Sequence, residues 1–266
     1  MAKKCLLMCP PHFYNVSYEI NPWMDTEKNV VHHETADEQW TALMAEIILC
    51  DAKVKLVKPV KNLPDLVFSA IAGLTIPGTK SVVLSTFLYP ERQGEEQHWG
   101  DWFKGNGWNI YSPKYPFEGA GDALFVNHHL IAGHGFRSTR ESYSEIAYQM
   151  GLIPIIVELK DPRFYHLDTC FCPLHDGDYL YFKGAFSLED QGKLRSLTGK
   201  DGISVPEDEA TKFACNAICI DRNVILPEGC HETEKMLKQA GYEPHPVAMT
   251  EYIKSGGACK CLTLEI

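Results

Sequence analysis

No run of about 18 apolar residues occurs in this 266-residue chain, so no segment qualifies as a membrane-spanning helix. Linkers rich in proline, glycine and serine are missing too, which argues for a single domain over residues 1–266. There is no Cys-x-x-Cys pair and no histidine partner at zinc-finger spacing, which argues against a metal site. Nothing else in the chain asks for a cofactor. Positive charge is scarce: 25 Lys and Arg stand against 35 Asp and Glu, a formal net charge of −10. That balance speaks against nucleic acid as a partner and mildly favours a small cation through long-range steering.

What is present fits a soluble globular chain with a sizeable core, at 45% hydrophobic and 11% aromatic residues. The opening segment, Met1 to Pro10, carries two lysines, but Pro10 and Pro11 cut its apolar run too short for a secretory signal. A cytoplasmic protein is therefore expected, with most of its ten cysteines as reduced thiols.

A short phrase recurs at nearly even spacing. Its markers are Ile71, Asp122, Asp168, Asn216 and Cys261, at steps of 51, 46, 48 and 45 residues. All but the last lead through a turn to a second apolar run, at Ser81 to Phe87, His129 to Ala132, Tyr179 to Phe182 and Asn223 to Leu226. A period in this range is a signature of propellers. Strands are expected at 5–8, 54–57, 66–68, 81–85, 123–126 and 153–159, and helices at 95–105, 142–150 and 233–241. A capping box at Thr35 and Glu38 predicts another helix start. Residues 193–208 read as a polar loop. The cadence predicts an α/β fold, a five-bladed α/β propeller of ββαβ units.

Repeats of this kind can deliver a carboxylate, a histidine, an amide and a thiol to one axis. Cys259 and Cys261 follow Gly256-Gly257 and share one face if the segment is extended, so either could be a nucleophile. His166 and Asp168 would share a strand face in the same way, suited to acid/base work and cation binding. Glu118 and Asp122 fall in a glycine-rich turn, where acids commonly cap or meet solvent. His32-His33-Glu34 reads as a solvent-facing polar stretch.

Together these phrases resemble the guanidino-group-modifying (pentein) superfamily, most closely its arginine dihydrolase branch. The resemblance rests on Met8-Cys9-Pro10-Pro11, Asn21-Pro22-Trp23-Met24, Glu91 to Glu96, Phe117 to Phe125, Phe164 to Leu174 and Lys260-Cys261-Leu262-Thr263. It implies a five-bladed α/β propeller with one axial active site and a small cationic guanidino substrate. It implies Cys261 as nucleophile and His166 as general acid/base. It further implies Asp122 and Asp168 as the carboxylates that grip the guanidinium, with Asn21, Phe68 and Asn216 lining the pocket. Arg92 and Arg137 are implied holders of the substrate's α-carboxylate. The reaction implied passes through a covalent thiouronium and, for a dihydrolase, runs twice to ornithine, carbon dioxide and ammonia.

Ile71 departs from that pattern, which has asparagine there. Isoleucine neither donates nor accepts a hydrogen bond, and losing such a contact costs about 1–3 kcal/mol where a partner is left unpaired. The departure points to a single hydrolysis to citrulline, to another substrate such as dimethylarginine, or to a weakly active variant. An amidinotransferase is a further alternative.

Overall fold

The computed structural model describes residues 3–266, apart from the side chains of residues 197 and 198. Met1 and Ala2, where the reading of the opening segment begins, lie outside the described residues. The first strands are β1 (Cys5–Met8) and β2 (Lys53–Leu56). Next come β3 (Gly73–Thr75), β4 (Ser81–Leu84) and β5 (Asn109–Tyr111), then β6 (Ala123–Val126), β7 (His129–His134) and β8 (Pro154–Glu158). They are followed by β9 (Phe171–Pro173), β10 (Tyr179–Tyr181) and β11 (Ile203–Ser204), then β12 (Ile218–Ile220), β13 (Asn223–Pro227) and β14 (Glu243–Val247). The last, β15 (Leu264–Glu265), returns to β1.

These strands form five three-stranded sheets, in the orders β15-β1-β2, β3-β4-β5, β6-β7-β8, β9-β10-β11 and β12-β13-β14. In each sheet the central strand pairs antiparallel on one side and parallel on the other. A parallel pair needs a crossover connection, and one helix supplies it each time: His33–Leu49, Pro90–Gly105, Arg140–Met150, Leu188–Thr198 and His231–Gln239. This is the predicted ββαβ cadence, five times over. Four of the units are contiguous in sequence; the fifth is assembled from both ends of the chain.

Most predicted elements are found with shifts of a few residues, and four expectations are corrected. The helix foreseen from Thr35 begins at His33, where no side chain caps it; instead the Glu251 carboxylate accepts from the His32 backbone N–H at 2.8 Å. Residues 66–68 are not a strand: 66 and 67 end a 3₁₀ turn, Pro64–Val67, opened by a proline whose φ suits a helical first position, and Phe68 caps it. The expected loop at 193–208 holds the end of one helix, the strand β11 and the start of Glu207–Ala210. Its missed signal was Ser187, which caps the helix by accepting from Asp190 N–H.

The fourth correction concerns chemistry. His166 and Asp168 do not lie on a strand, because residues 167–169 form a 3₁₀ turn stitched by Thr169 Oγ1 donating to the His166 carbonyl at 2.6 Å. Likewise 259–262 is a turn, not an extended strand, so Cys259 and Cys261 share no strand face. Among the described residues all ten cysteines are free thiols, and no helix is long and apolar enough to cross a membrane.

Candidate active site

The strands β3, β6, β9, β12 and β15 are each entered through a tight turn that carries one of the recurrent phrases. The turns lie at 69–72, 119–122, 167–169, 213–216 and 259–262. They are tied to one another in a closed ring. Ala70 N–H donates to the Cys261 carbonyl at 3.0 Å, and Lys260 N–H to the Asn216 carbonyl at 3.1 Å. Asn216 Nδ2 donates to the Asp168 carbonyl at 3.0 Å, and Leu167 N–H to Asp122 Oδ1 at 3.1 Å. The fifth join is steric: Gly119, at φ +54°, lies against Gly73, and an added Cβ would sit 2.8 Å from the Gly73 nitrogen. Only glycine fits there.

A narrow pocket opens on this ring. Its apolar wall is Ile20, Met24, Phe68 and Ile71; its polar wall includes Asn21, Asp65, Arg92 and Arg137; His166 and Cys261 also line it. Asp168 lies beneath, its Oδ2 accepting from the Cys261 thiol at 3.4 Å. Asn216 does not line the pocket and instead grips Cys261 from behind, Nδ2 donating to Sγ at 3.1 Å. Its Oδ1 accepts from the backbone N–H groups of Ala258 and Cys261. Asn21 is committed to structure, donating to the Ser255 carbonyl and accepting from Trp23 and Met24 N–H.

Asp122 is held on both carboxylate oxygens by protein donors. Its Oδ2 accepts from both the N–H and the hydroxyl of Ser138, at 3.1 and 2.6 Å, and its Oδ1 from Leu167 N–H. Both oxygens face protein donors, and the residue is absent from the pocket wall. Burial pushes its carboxyl up to about 6 despite the nearby His166.

Two further acids are engaged here: Glu118, expected to cap or meet solvent, and Asp65, to which the sequence assigned no role. Glu118, fully buried, meets His166 Nε2 at 2.7 Å and Arg137 Nη1 at 2.9 Å through the same oxygen, Oε2. Burial would raise its carboxyl, but the Arg137 charge and the His166 contact outweigh that and hold it at about 2. Asp65 is also buried and sits in the pocket wall, taking a hydrogen bond from Tyr18 at 2.9 Å. The available signal was an acid flanked by large apolar residues, as in Phe117-Glu118 and Asp65-Leu66-Val67.

The two arginines are held rigidly. Arg92 makes a two-pronged pair with Glu95 at 2.7 Å and donates to the Asp65 carbonyl. Arg137 is sandwiched between the Tyr89 and Tyr165 rings, 4.7 Å from each centroid, and donates to the Ile20 carbonyl. Burial and the adjacent Asp168 raise the Cys261 thiol well above its ordinary value.

Comparison with known proteins places this geometry in a family. The family description "N,N dimethylarginine dimethylhydrolase, eukaryotic" matches residues 17–266. A bifunctional arginine dihydrolase/ornithine cyclodeaminase of Nostoc sp. is 43% identical over 98% of this chain and 37% of its own length. The chain thus spans little more than a third of that relative. An N(G),N(G)-dimethylarginine dimethylaminohydrolase of Mycobacterium tuberculosis is 38% identical, over 97% of this chain and 84% of its own. The solved N-terminal domain of the cyanobacterial arginine dihydrolase ArgZ, a cysteine mutant bound to substrate, superposes with a TM-score of 0.94 at 43% identity. That match covers 99% of this chain and 98% of the domain. The pentein fold and these sequence matches agree: the chain belongs to the N,N dimethylarginine dimethylhydrolase family.

Proposed function

We propose that residues 1–266 form a single catalytic domain, a cytoplasmic cysteine-dependent hydrolase of arginine acting through a covalent thiouronium. One observation carries the reading. Three buried carboxylate oxygens, Asp65 Oδ1, Glu118 Oε1 and Asp168 Oδ1, have no hydrogen-bond partner among the described residues. An unpaired buried acceptor is costly, and three of them, on a residue of the pocket wall and on the partners of His166 and Cys261, call for a ligand rich in N–H donors. A guanidinium is planar, cationic and carries such donors in a fixed fork.

The chemistry follows. The bound cation offsets the local negative charge and favours the thiolate of Cys261. Asn216, at 3.1 Å, stabilises that sulfur with a hydrogen bond and aims it. Sγ bonds to the guanidinium carbon while the sulfur's proton passes to His166, oriented by Glu118. His166 returns the proton to the departing nitrogen, the C–N bond breaks and ammonia leaves. Water, deprotonated by His166, then adds to the thiouronium carbon; the C–S bond breaks and a ureido product remains. Repeating the cycle on that product gives ornithine, carbon dioxide and a second ammonia. Arg92 and Arg137 hold the α-carboxylate, and Asp65, Glu118 and Asp168 the cation. Asp122 acts as a positioning residue through Leu167.

A second reading, hydrolysis of dimethylarginine, is favoured by Ile71. Its side chain joins Ile20, Met24 and Phe68 in an apolar wall that suits N-methyl groups better than an amide would. Separate incubations with arginine and with dimethylarginine, followed by amino-acid, amine and ammonia analysis, test both. Ornithine with two ammonia marks a dihydrolase, and citrulline with one ammonia a single hydrolysis. Citrulline and dimethylamine from dimethylarginine alone would select the second reading. Inertness toward both compounds would sink the hydrolase.

A further inference from the structure

A cavity larger than the pocket that Cys261 faces lies elsewhere in the molecule. It has a volume of about 550 Å³ and draws on all five sheets, through β1 and β15, β3, β6, β9 and β12. A space shared by every sheet of a five-fold ring lies on its axis. None of its wall residues belongs to the smaller pocket. Consecutive residues therefore serve different cavities: Lys260 lines the axial one and Cys261 the other.

Three charged side chains reach this cavity: Lys4, Lys260 and Glu265. Lys4 is satisfied, pairing with Glu265 at 3.1 Å and donating to the Cys219 carbonyl at 3.1 Å. Lys260 is not paired. Half-buried, its ammonium makes a 3.2 Å hydrogen bond to the Thr263 carbonyl and forms no ion pair among the described residues. Two of its three N–H donors have no protein acceptor among the described residues. An ammonium on the cavity wall without a counter-charge leaves a local positive potential that attracts an anion. The charge of Lys260 also reaches the chemistry, favouring the ionised forms of both Asp168 and Cys261.

We propose that the axial cavity is a second binding site, for a small oxyanion bearing a carboxylate or phosphate group. Lys260 is its primary contact and Lys4 its secondary one, and its occupancy slows Cys261 by neutralising Lys260. The regulatory half rests on Cys261 as the nucleophile; the binding half does not. An anion beside Lys260 cancels a positive potential that favours the thiolate, so less of the sulfur is reactive at a given pH.

The test uses the full chain at constant ionic strength, with inorganic phosphate and succinate as separate probes. Calorimetric titration should give saturable binding of at least one, weakened about tenfold in Lys260→Met and strengthened in Glu265→Gln, which frees Lys4. Iodoacetamide labelling of Cys261, followed by peptide-resolved mass spectrometry, reads the thiol without requiring turnover. The binding probe should slow labelling roughly threefold or more in the wild type and not in Lys260→Met. No saturable heat in the millimolar range with either probe overturns the site. Equal affinity of wild type and Lys260→Met overturns the assignment of the contact. Saturable binding that leaves Cys261 labelling unchanged overturns the regulation.

Discussion

Asn216 holds Cys261 at both ends: its Nδ2 donates to Sγ and its Oδ1 accepts from the Cys261 backbone N–H, each at 3.1 Å. The same oxygen takes Ala258 N–H, so one amide fixes the turn that presents the thiol. Replacing Asn216 by Leu should leave KM for arginine nearly constant while kcat falls by roughly a hundredfold, since misplacing a reacting group by about 1 Å has that effect. Asn216→Asp should be worse, with a carboxylate facing the sulfur and raising its pKa. Steady-state kinetics of the two variants would expose an error if KM moved instead.

Cys261→Ser should lose at least about a thousandfold in kcat and fail to form a covalent adduct in mass spectrometry. Cys259→Ser should retain most activity, because Cys259 is buried away from the pocket wall. The reverse pattern would move the nucleophile.

Glu118 and Asp122, four residues apart, should leave opposite marks on stability against pH. Glu118 is depressed to about 2 from 4.5, so its contribution is present above pH 4.5 and lost as pH falls toward 2. Asp122 is raised to about 6 from 3.8, so its contribution is full below 3.8 and lost as pH rises through 6. Each window corresponds to about 3 kcal/mol. Urea midpoints between pH 3 and 7 should flatten near pH 5–6 in Asp122→Asn and only below pH 4.5 in Glu118→Gln. Coincident changes in both variants would contradict the assignment.

Ile71 and Gly121 should behave as a coupled pair. A Cβ added at Gly121 would fall 2.5 Å from Ile71 Cγ2 and 3.3 Å from the His166 ring. Gly121→Ala should therefore depress kcat, and Ile71→Ala should restore part of the loss in the double variant. If the two single effects simply add, the His166 ring rather than Ile71 takes the strain.

Ile71→Asn tests the choice between one hydrolysis and two. It should cost about 1–3 kcal/mol of stability, as a polar group enters a buried position. It should also raise ornithine relative to citrulline, measured by amino-acid analysis after exhaustive turnover. An unchanged product ratio would show that position 71 does not control the second step.

The five-fold period was legible because four of the phrases lead into the same apolar hairpin, and the thiol and histidine stood out in their phrases. The carboxylates were harder. Asp122 and Glu118 share one glycine-rich turn, and nothing local says which faces the pocket; Ser138, 16 residues later, decides it by engaging Asp122. The spacing of His166 and Asp168 suggested a strand face, whereas Thr169 and Asp122 bend the segment into a 3₁₀ turn. Asp65 carried no phrase of its own, and its place depends on the proline turn before it.

The pairing of β15 with β1 joins Leu264 and Glu265 to Leu7 and Leu6, nearly the whole chain apart. Contacts of such separation are slow to form, because their loop-closure entropy must be met before any packing is gained. Four blades can assemble from contiguous sequence, but the thiol lies three residues before the strand that shuts the ring. In a refolding chain, sheet signals should therefore precede catalysis, and the return of activity becomes a clock for ring closure.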